Sequence, residues 1–468
     1  VQHNMQAANA NRMLGVTTSA QSKSTEKLSS GYKINRAADD AAGLTISEKM
    51  RKQIRGLDKA SSNAQDGVSS VQTAEGALTE VHSMLQRMNE LAVQASNGTN
   101  SKDTDRKAIQ DEIDQLNTEI DRVAETTKFN EIYLLKGDDG EKTINLNAHD
   151  AGLKGTLVDN GSGKATFTMK ELSVGDSVSI GGKNYTIGST AADAQKIVTG
   201  QEKAGGKVTV NGVEYTYNDT DKKWKDAAGA DVQIGTGAAA GKIVIGDGDK
   251  VSDGTTTLTA MTDKKDATGA AKADGVDDND NSVISAEKAY SLAKDELVAA
   301  NHIGDTENTA AVAQDTTNKN VFTITTGSAK VANTLSFSLH VGADADMTNK
   351  ITVDIDTMNS ANLGIKGLNV TDKNGTAATY AIDAISDAIS KVSSQRSALG
   401  AVQNRLEHTI DNLDNISENT SSAESRIRDT DMAKEMVNYS KNNILAQAGQ
   451  SMLAQANQSN QGVLSLLQ

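Results

Sequence analysis

Apolar residues near both ends of the chain recur at alternating steps of three and four, and this spacing restricts the fold more than any other feature. The first set begins near Ile46 and is clearest in Val71, Ala74, Leu78, Val81, Leu85, Met88, Ala92 and Ala95. The second set is Leu399, Val402, Leu406, Ile410, Leu413, Ile416, Ala423 and Ile427. Such stripes predict long helices that pack side by side as coiled coils. We therefore expect the two ends of the chain to pack together.

Glycine and asparagine mark where the N-terminal helices begin and end. The segment Ser96-Asn97-Gly98-Thr99-Asn100 interrupts the first stripe, which then resumes in Ile109, Ile113, Leu116, Ile120 and Val123. Gly and Asn favour helix termination, so two antiparallel helices are predicted here. Closer to the N-terminus, Gly31 is expected to end one helix, and Asp39 or Asp40 to cap the next.

The composition excludes several classes of protein. Only 37% of the 468 residues are hydrophobic and 3% aromatic, which argues against one large core and favours thin modules stabilised by assembly. A net charge of -15 without a basic patch disfavours binding to nucleic acid. The chain has no cysteine, and no apolar run reaches the roughly 18 residues that membrane insertion needs. The N-terminal residues lack the apolar core of a secretory signal, so any export is expected to use another route.

The middle of the chain, 137–333, is rich in Gly, Ala, Thr, Asp and Lys, and its short alternating runs predict β structure. Asn211-Gly212 and Gly181-Gly182 are predicted to be hairpin turns. One helix is expected in this region, from Ser285 to Ala300, with Ser285 as its N-cap. Outside the region, strands are predicted at 335–341 and 351–355. The fold class is therefore α+β: a long antiparallel helical coiled-coil bundle from the N- and C-terminal regions, with an inserted, mostly β outer region.

The extreme ends, 1–27 and 433–468, carry only a thin apolar line. Near the C-terminus it consists of Ile444, Ala448, Met452 and Leu453. An isolated helix with so little apolar surface is marginal in water. We expect both tails to be mobile in the monomer and to become ordered against a neighbouring chain.

Four segments resemble bacterial flagellins almost residue for residue. They are KLSSGYKINRAADDAAGL at 27–44, LAVQASN at 91–97, RSALGAVQNRL at 396–406 and AESRIRDTDMA at 423–433. The resemblance implies self-assembly into the bacterial flagellar filament. This filament lies outside the cell and serves motility. It further implies export through the flagellar type III apparatus with an export chaperone, and contact with hook-associated proteins. The segments and tails give the candidate assembly residues Leu28, Ile34, Asp39, Asp40, Ile444, Met452 and Leu453.

The resemblance also implies three levels of organisation. Residues 1–45 and 430–468 would form the inner helices of the filament core. Residues 46–136 and 334–429 would form a helical coiled-coil domain with a β-hairpin. Residues 137–333 would be the variable insert that faces solvent.

A second surface is implied by resemblance alone. In many flagellins the outer face of the first long helix and of the short helix after it binds Toll-like receptor 5. The matching positions are Arg87, Leu91, Gln94, Ile109, Glu112 and Gln115. Arg87, Leu91 and Gln94 share a helical face offset from the predicted stripe, so we expect that face to be open to a partner. The alternative is that these residues serve only filament packing.

No residue pattern predicts an active site, a cofactor or a metal. The six histidines are scattered without the spacing of zinc ligands. The run from Asp277 to Ser285 resembles a calcium loop, but Lys288 occupies the position of the bidentate acid, which favours a solvated acidic loop. The sequence therefore predicts a structural protein rather than an enzyme. A hook-filament junction protein and a secreted adhesin remain alternative interpretations.

Overall fold

A computed structural model describes residues 5–265, 268–270, 272–372 and 374–465, with side chains described up to residue 459. The chain divides into two compact units. The first comprises Val1–Val71, Phe337–Val353 and Gly400–Gln468, and the second comprises Gln72–Ser336 and Asp354–Leu399.

Helices occupy the two ends of the chain and recur in its middle. They are α1 (Met5–Ser30), α2 (Ala41–Ser96), α3 (Asp105–Thr126), α4 (Ala191–Gly200), α5 (Ala286–Asn301), α6 (Ser360–Leu363), α7 (Thr376–Arg428) and α8 (Met432–Ser465). A short 3-10 helix covers Met347–Asn349. Within the described residues, no helix has the length and hydropathy that a bilayer span requires.

The strands are short and lie almost entirely between α3 and α7. In chain order they are β1 (Lys128–Phe129), β2 (Ile132–Tyr133), β3 (Asp138–Asn145), β4 (Gly155–Gly161), β5 (Lys164–Met169), β6 (Ser177–Ile180), β7 (Lys183–Ile187), β8 (Lys207–Val210), β9 (Val213–Asn218), β10 (Lys223–Lys225), β11 (Gln233–Ile234), β12 (Lys242–Ile243), β13 (Lys250–Ser252), β14 (Thr257–Thr259), β15 (Val283–Ile284), β16 (Ala311–Gln314), β17 (Val321–Thr325), β18 (Ser328–Asn333), β19 (Leu335–His340) and β20 (Lys350–Ile355). The α+β fold class predicted from the sequence is confirmed.

In the first unit, parts of α2 and α7 pack antiparallel and bury small apolar clusters. One cluster joins Ala64 and Leu406 to Val341 and Ile351 of the β19–β20 hairpin, and a second contains Leu57, Ala60 and Leu413. A polar contact also joins α2 to α7, since the Ser61 hydroxyl donates to Asp414 Oδ1 at 3.0 Å. The helical ends of the chain therefore pack together as their stripes predict.

The predicted stripe of α2 is buried at all eight positions from Val71 to Ala95, but Ile46, where the stripe was expected to begin, is 48% exposed. On α7, burial weakens toward the C-terminus. Leu399, Leu406 and Leu413 are buried, but Ile416 is exposed, so the prediction that the stripe continues through this position is wrong. The physical reason is local, because the adjacent Ser417 hydroxyl donates to Asp58 Oδ1 at 2.8 Å and a polar contact replaces apolar packing.

The β-rich middle, within the second unit, has two apolar cores. In the first, the sheet β16-β17-β5-β4 packs with the sheet β15-β7-β6 and α5 around Phe167, Tyr290 and Phe322. In the second, the sheet β10-β9-β8-β13-β14 packs with α4 around Trp224. Strands β3 and β18, at the two ends of this region, pair antiparallel. The start and the end of the middle region are therefore neighbours.

Both predicted hairpin turns are confirmed. Asn211 and Gly212 have φ of 50° and 86° between the paired strands β8 and β9, and Gly181 and Gly182 join β6 to β7 in the same way. Positive φ at both turn positions matches the right-handed twist of the strands. The predicted strand pair β19–β20 is also present.

The prediction of a single helix in the middle region is wrong. α5 is present, and the Ser285 hydroxyl accepts a hydrogen bond from the Lys288 amide as its N-cap. α4 was not expected, although Thr190 and Asp193 form a capping box at its start. A threonine three residues before an acid is a signal for the start of a helix. It did not lead to a predicted helix here because the surrounding residues alternate as in β strands.

Candidate functional site

The terminal helix pair, α1 with α8, belongs to the first unit and buries very little of its own surface. Ser24 in α1 and Ala446 in α8 are the buried positions among its described side chains. The two helices run antiparallel, since Leu14 lies 3.4 Å from the position that a Cβ on Gly449 would occupy and Thr430 donates its amide to the Gly31 carbonyl. Gly449 thus leaves room for Leu14, while most of the larger apolar side chains of the pair remain exposed.

Exposed apolar side chains cover this helix pair. They are Met5, Met13, Val16, Met432, Met436, Val437, Ile444, Leu445 and Met452. Between the helices lies an open groove of about 740 Å³, the terminal groove, lined by Ala10, Met13 and Leu14 of α1 and by Leu445, Ala448 and Met452 of α8, among others. An apolar surface of this extent on one element is typical of a surface that a partner covers.

The seven candidate assembly residues do not form one site. Ile444 and Met452 are exposed on α8, at 67% and 63%, while Leu453 and Leu28 are half-buried on α8 and α1. Ile34, Asp39 and Asp40 lie instead in the bend segment, residues 31–40, between α1 and α2.

The bend segment is closed by hydrogen bonds as its sequence predicts. Gly31 has φ of +75° and ends α1. Asp39 Oδ2 accepts from the amides of Asn35 and Arg36, and the hydrogen bond from the Arg36 amide holds the pKa of Asp39 below its ordinary value. Asp40 Oδ1 accepts from the Gly43 amide at 2.9 Å, which identifies Asp40 as the N-cap of α2.

The C-terminal end of α7 holds the bend in place. The Arg428 carbonyl accepts from the Lys33 amide at 2.6 Å, and the Arg428 guanidinium lies 4.7 Å from the centre of the Tyr32 ring. Arg428 also donates to Glu48 at 2.7 Å, and this hydrogen bond lowers the pKa of Glu48. No sequence pattern distinguishes Arg428, although it lies within a segment, 423–433, that resembles flagellins.

The α2–α3 seam, in the second unit, contains the six candidate receptor-binding residues. Arg87 of α2 pairs with Glu112 of α3 at 2.9 Å and also with Glu90, and the hydrogen bond that Arg87 donates to Glu112 is the main cause that raises the pKa of Arg87. Eight residues further along α2, the Ala95 carbonyl accepts from Arg106 of α3. α3 therefore runs antiparallel to α2 along the row that contains Arg87 and Ala95.

This geometry corrects the expectation of an open face. Leu91 lies between Arg87 and Ala95 on α2 and is only 2% exposed, and Ile109 lies between Arg106 and Glu112 on α3 and is also buried. Their side chains are not available to a partner in this structure, because the two helices meet here. The exposed members of the seam are Arg87, Gln94, Glu112 and Gln115.

Arg106 is a structural residue that the sequence analysis missed. Its side chain is 1% exposed and donates to three backbone carbonyl oxygens, those of Ala95 at 2.8 Å, Asp372 at 3.0 Å and Asn97 at 3.1 Å. It therefore ties the end of α2 and the segment before α7 to α3. In the sequence, only its position just after the helix break distinguishes it from a surface arginine.

The acidic loop before α5 uses its carboxylates within the protein. Asp277 accepts from the amides of Thr262, Asn279 and Asp280, and Asp280 accepts from Ser282. Among the described residues, no group of three or more His, Asp or Glu side chains is arranged to hold a metal ion.

Sequence comparisons relate both the helical ends and the middle to known proteins. The profile described as the bacterial flagellin N-terminal helical region matches residues 1–139, and the one described as the bacterial flagellin C-terminal helical region matches residues 382–467. The chain is 38% identical over 465 residues to a flagellin of Clostridium tyrobutyricum, covering 98% of this chain and 100% of that protein. It is 36% identical to flagellin C of Vibrio cholerae over 467 residues and 34% identical to a flagellin of Bacillus subtilis over 468 residues, in each case covering 100% of this chain and 99% of the relative.

Proposed function

The chain belongs to the bacterial flagellin family and is a structural subunit of the flagellar filament, and we propose that the terminal helix pair is its main polymerisation surface. The observation that carries this proposal is the mismatch between what α1 and α8 bury and what they expose. Ser24 and Ala446 are buried, whereas nine large apolar side chains of the pair are exposed to solvent. A neighbouring subunit that covers them would stabilise the helices and the filament together.

Burial of these side chains supplies the driving force. Covering one apolar side chain of this size stabilises by roughly 1.5–3 kcal/mol, before the entropy of ordering is subtracted. Ile444 and Met452 are large contributors on α8, because each leaves more than half of its surface in water in the monomer. Leu28 and Leu453 are proposed to support the same packing from half-buried positions.

The bend segment is proposed to contribute by setting the direction of α1 and α8. Ile34, Asp39 and Asp40 make their contacts within the chain, so their proposed role in assembly is to fix how α1 and α8 leave α2 and α7. A subunit with a loose bend would present the same apolar surface in many directions and would elongate poorly.

The remaining proposals follow from membership of the family. We propose that residues 1–45 with 430–468 form the filament core, that 46–136 with 334–429 form the surrounding helical domain, and that 137–333 is the insert that faces solvent. The subunit would be exported by the flagellar type III apparatus with a chaperone and would meet hook-associated proteins at the end of the filament.

Seeded polymerisation tests the proposed function. Purified subunit, mixed with short filament seeds, is expected to form long filaments that sediment and are visible by electron microscopy. A junction protein would cap seeds without elongating them, and an adhesin would leave them unchanged. Either result would contradict the proposal.

A deletion variant serves as the matched control and tests the boundaries of the insert. Residues 137–333 are replaced by a short linker, which is feasible because a Cβ on Gly137 would lie 2.6 Å from the Asn333 carbonyl oxygen. We expect this variant to elongate seeds as the full chain does, since the terminal helix pair lies outside the deletion. Loss of elongation in a folded variant would count against the insert boundary.

The exposed residues of the α2–α3 seam support a second proposal, that the monomer binds Toll-like receptor 5. Arg87 is half exposed and held in a fixed direction by Glu112, so its remaining donors can meet an acidic or carbonyl group without a large loss of side-chain entropy. Gln94 and Gln115 add neutral donors and acceptors nearby. Leu91 and Ile109 position the seam by packing inside it.

Substitution of Arg87 tests the receptor proposal. Arg87→Ala is expected to weaken monomer binding by about tenfold or more if this arginine is an interface anchor. The far-UV circular dichroism should not change, because the ion pair is on the surface. Arg122→Ala is the control, since Arg122, on α3, is likewise an exposed arginine paired to a glutamate, Glu119. Binding that is equally affected by both substitutions, or by neither, would leave the seam as a packing surface only.

A further inference from the structure

The methionines of this chain are divided sharply by location. Six of the twelve are exposed in the described structure, and five of these six lie on α1 and α8: Met5, Met13, Met432, Met436 and Met452. The sixth, Met347, lies in the 3-10 helix between β19 and β20. Met88, Met169, Met261 and Met358 are buried. The exposed thioethers are thus concentrated on the proposed polymerisation surface.

Two of these methionines lie in the terminal groove. Met13 of α1 and Met452 of α8 both line it, beside Leu14 and Leu445. Both side chains are more than half exposed, so peroxide in solution can reach both sulfur atoms. The other groove residues are small or aliphatic, or carry neutral amides and hydroxyls, so the thioethers are its oxidisable groups.

We propose that Met13 and Met452 form an oxidation-sensitive site that controls whether the terminal groove can accept a neighbouring subunit, an inference that rests on the proposed polymerisation function. Hydrogen peroxide transfers one oxygen atom to the thioether sulfur and is itself reduced to water. The sulfur is oxidised by two electrons to a sulfoxide, and no proton is gained or lost by the protein. The flexible apolar side chain becomes a polar one.

On assembly, a neighbouring subunit must cover the terminal groove, and a sulfoxide opposes this. A sulfoxide oxygen is a strong hydrogen-bond acceptor, and covering it without a donor carries a desolvation cost. The described lining combines asparagine, glutamine, serine and threonine side chains with the aliphatic Leu14 and Leu445. Oxidised subunits are therefore expected to fold normally and to be excluded from the growing filament. Once covered in a filament, the same sulfur atoms are expected to resist peroxide.

The test compares peroxide-treated and untreated monomer in the seeded polymerisation experiment. Peptide mass mapping should show oxidation at Met13 and Met452 before the buried methionines react. The critical concentration for elongation should rise about tenfold or more, the factor that corresponds to covering one unpaired polar group. Methionine sulfoxide reductases should restore elongation as they remove oxygen from these two positions. Filaments treated after assembly should yield subunits with both residues intact.

Leucine variants locate the effect. The double substitution Met13→Leu and Met452→Leu keeps apolar volume and should elongate equally before and after peroxide. Met347→Leu is the matched control and should lose elongation after treatment as the unsubstituted chain does. If the untreated double variant does not elongate, the single variants Met13→Leu and Met452→Leu replace it. The ratio of elongation after peroxide to elongation before peroxide, measured in each single variant, then tests the proposal.

Two outcomes would overturn this inference. One is unchanged elongation by native subunit oxidised at both positions, and the other is equal loss in the treated double variant. Failure of the untreated native chain to elongate would count against the polymerisation proposal instead.

Discussion

A chain truncated after Asp431 is expected to lose filament growth completely while the second unit keeps its fold. The truncation removes α8, and with it Ile444, Leu445 and Met452 from the terminal groove. It also leaves α1 without the helix that packs against it. No buried residue of the second unit lies in the deleted segment, so its two apolar cores remain intact.

Sedimentation with seeds measures the loss, and fluorescence of Trp224, the single tryptophan, reports on the second unit. Trp224 is buried and packs edge-on against Tyr217 at 5.2 Å between ring centres, so its emission should be unchanged. Filaments formed by the truncated chain would refute the role given to α8.

Hydrogen exchange tests the role of α1 and α8 in assembly without a deletion. Amides of residues 5–30 and 432–465 should exchange rapidly in the monomer and slowly in the filament, because helices that bury so little are only marginally stable alone. Equal protection in the two states would mean that the helix pair is stable without a neighbour.

Substitution of Arg106 is expected to have the largest effect on the stability of the second unit. Arg106→Ala takes one donor from each of three backbone carbonyls, of which that of Asn97 still accepts from the Asn100 amide, and it removes a fully buried side chain. Ala95 is buried, Asp372 is half-buried and Asn97 is exposed, so the loss falls mainly on the first two carbonyls. An unsatisfied buried acceptor costs about 1–3 kcal/mol, and we expect a decrease of about 2–4 kcal/mol in the free energy of unfolding. Arg106→Lys keeps the charge but cannot present the same planar fork, and it should recover only part of this loss.

Urea denaturation followed by far-UV circular dichroism measures the effect. Arg122→Ala, on the exposed side of the same helix, is the matched control and should leave the unfolding midpoint unchanged. An unchanged midpoint in Arg106→Ala would show that the three carbonyls find other donors, and that the arginine is not needed to hold α2, α3 and the segment before α7 together.

The parts of the fold that were predictable from sequence are those that repeat along the chain. The α2 stripe is buried at all eight positions from Val71 to Ala95, because a coiled coil applies one rule at each step. The turns at Asn211-Gly212 and Gly181-Gly182 were predictable because few residues tolerate positive φ at consecutive positions.

The parts that were not predictable depend on which elements meet. Leu91 is buried because α3 lies along its row of α2, and a stripe calculated from α2 alone contains no information about α3. Arg106 has the residue type of a surface position, and only the convergence of three carbonyls gives it an interior role. The assembly residues of α8 were predictable as an apolar line. The terminal groove was not predictable, because it forms only where α8 pairs with α1.

The pairing of distant residues is nested, and this has a consequence for chain entropy. Asp138 pairs with Asn333, Ser61 bonds to Asp414, and Tyr32 pairs with Asp429, so each outer contact encloses the inner ones. The entropy lost on closing a flexible loop rises by only about 0.6 kcal/mol for each doubling of its length, and a segment already folded and closed at its base no longer counts as flexible chain. Lengthening the middle region therefore adds almost nothing to the closure cost of the outer contacts, and the helical ends can tolerate middles of very different size.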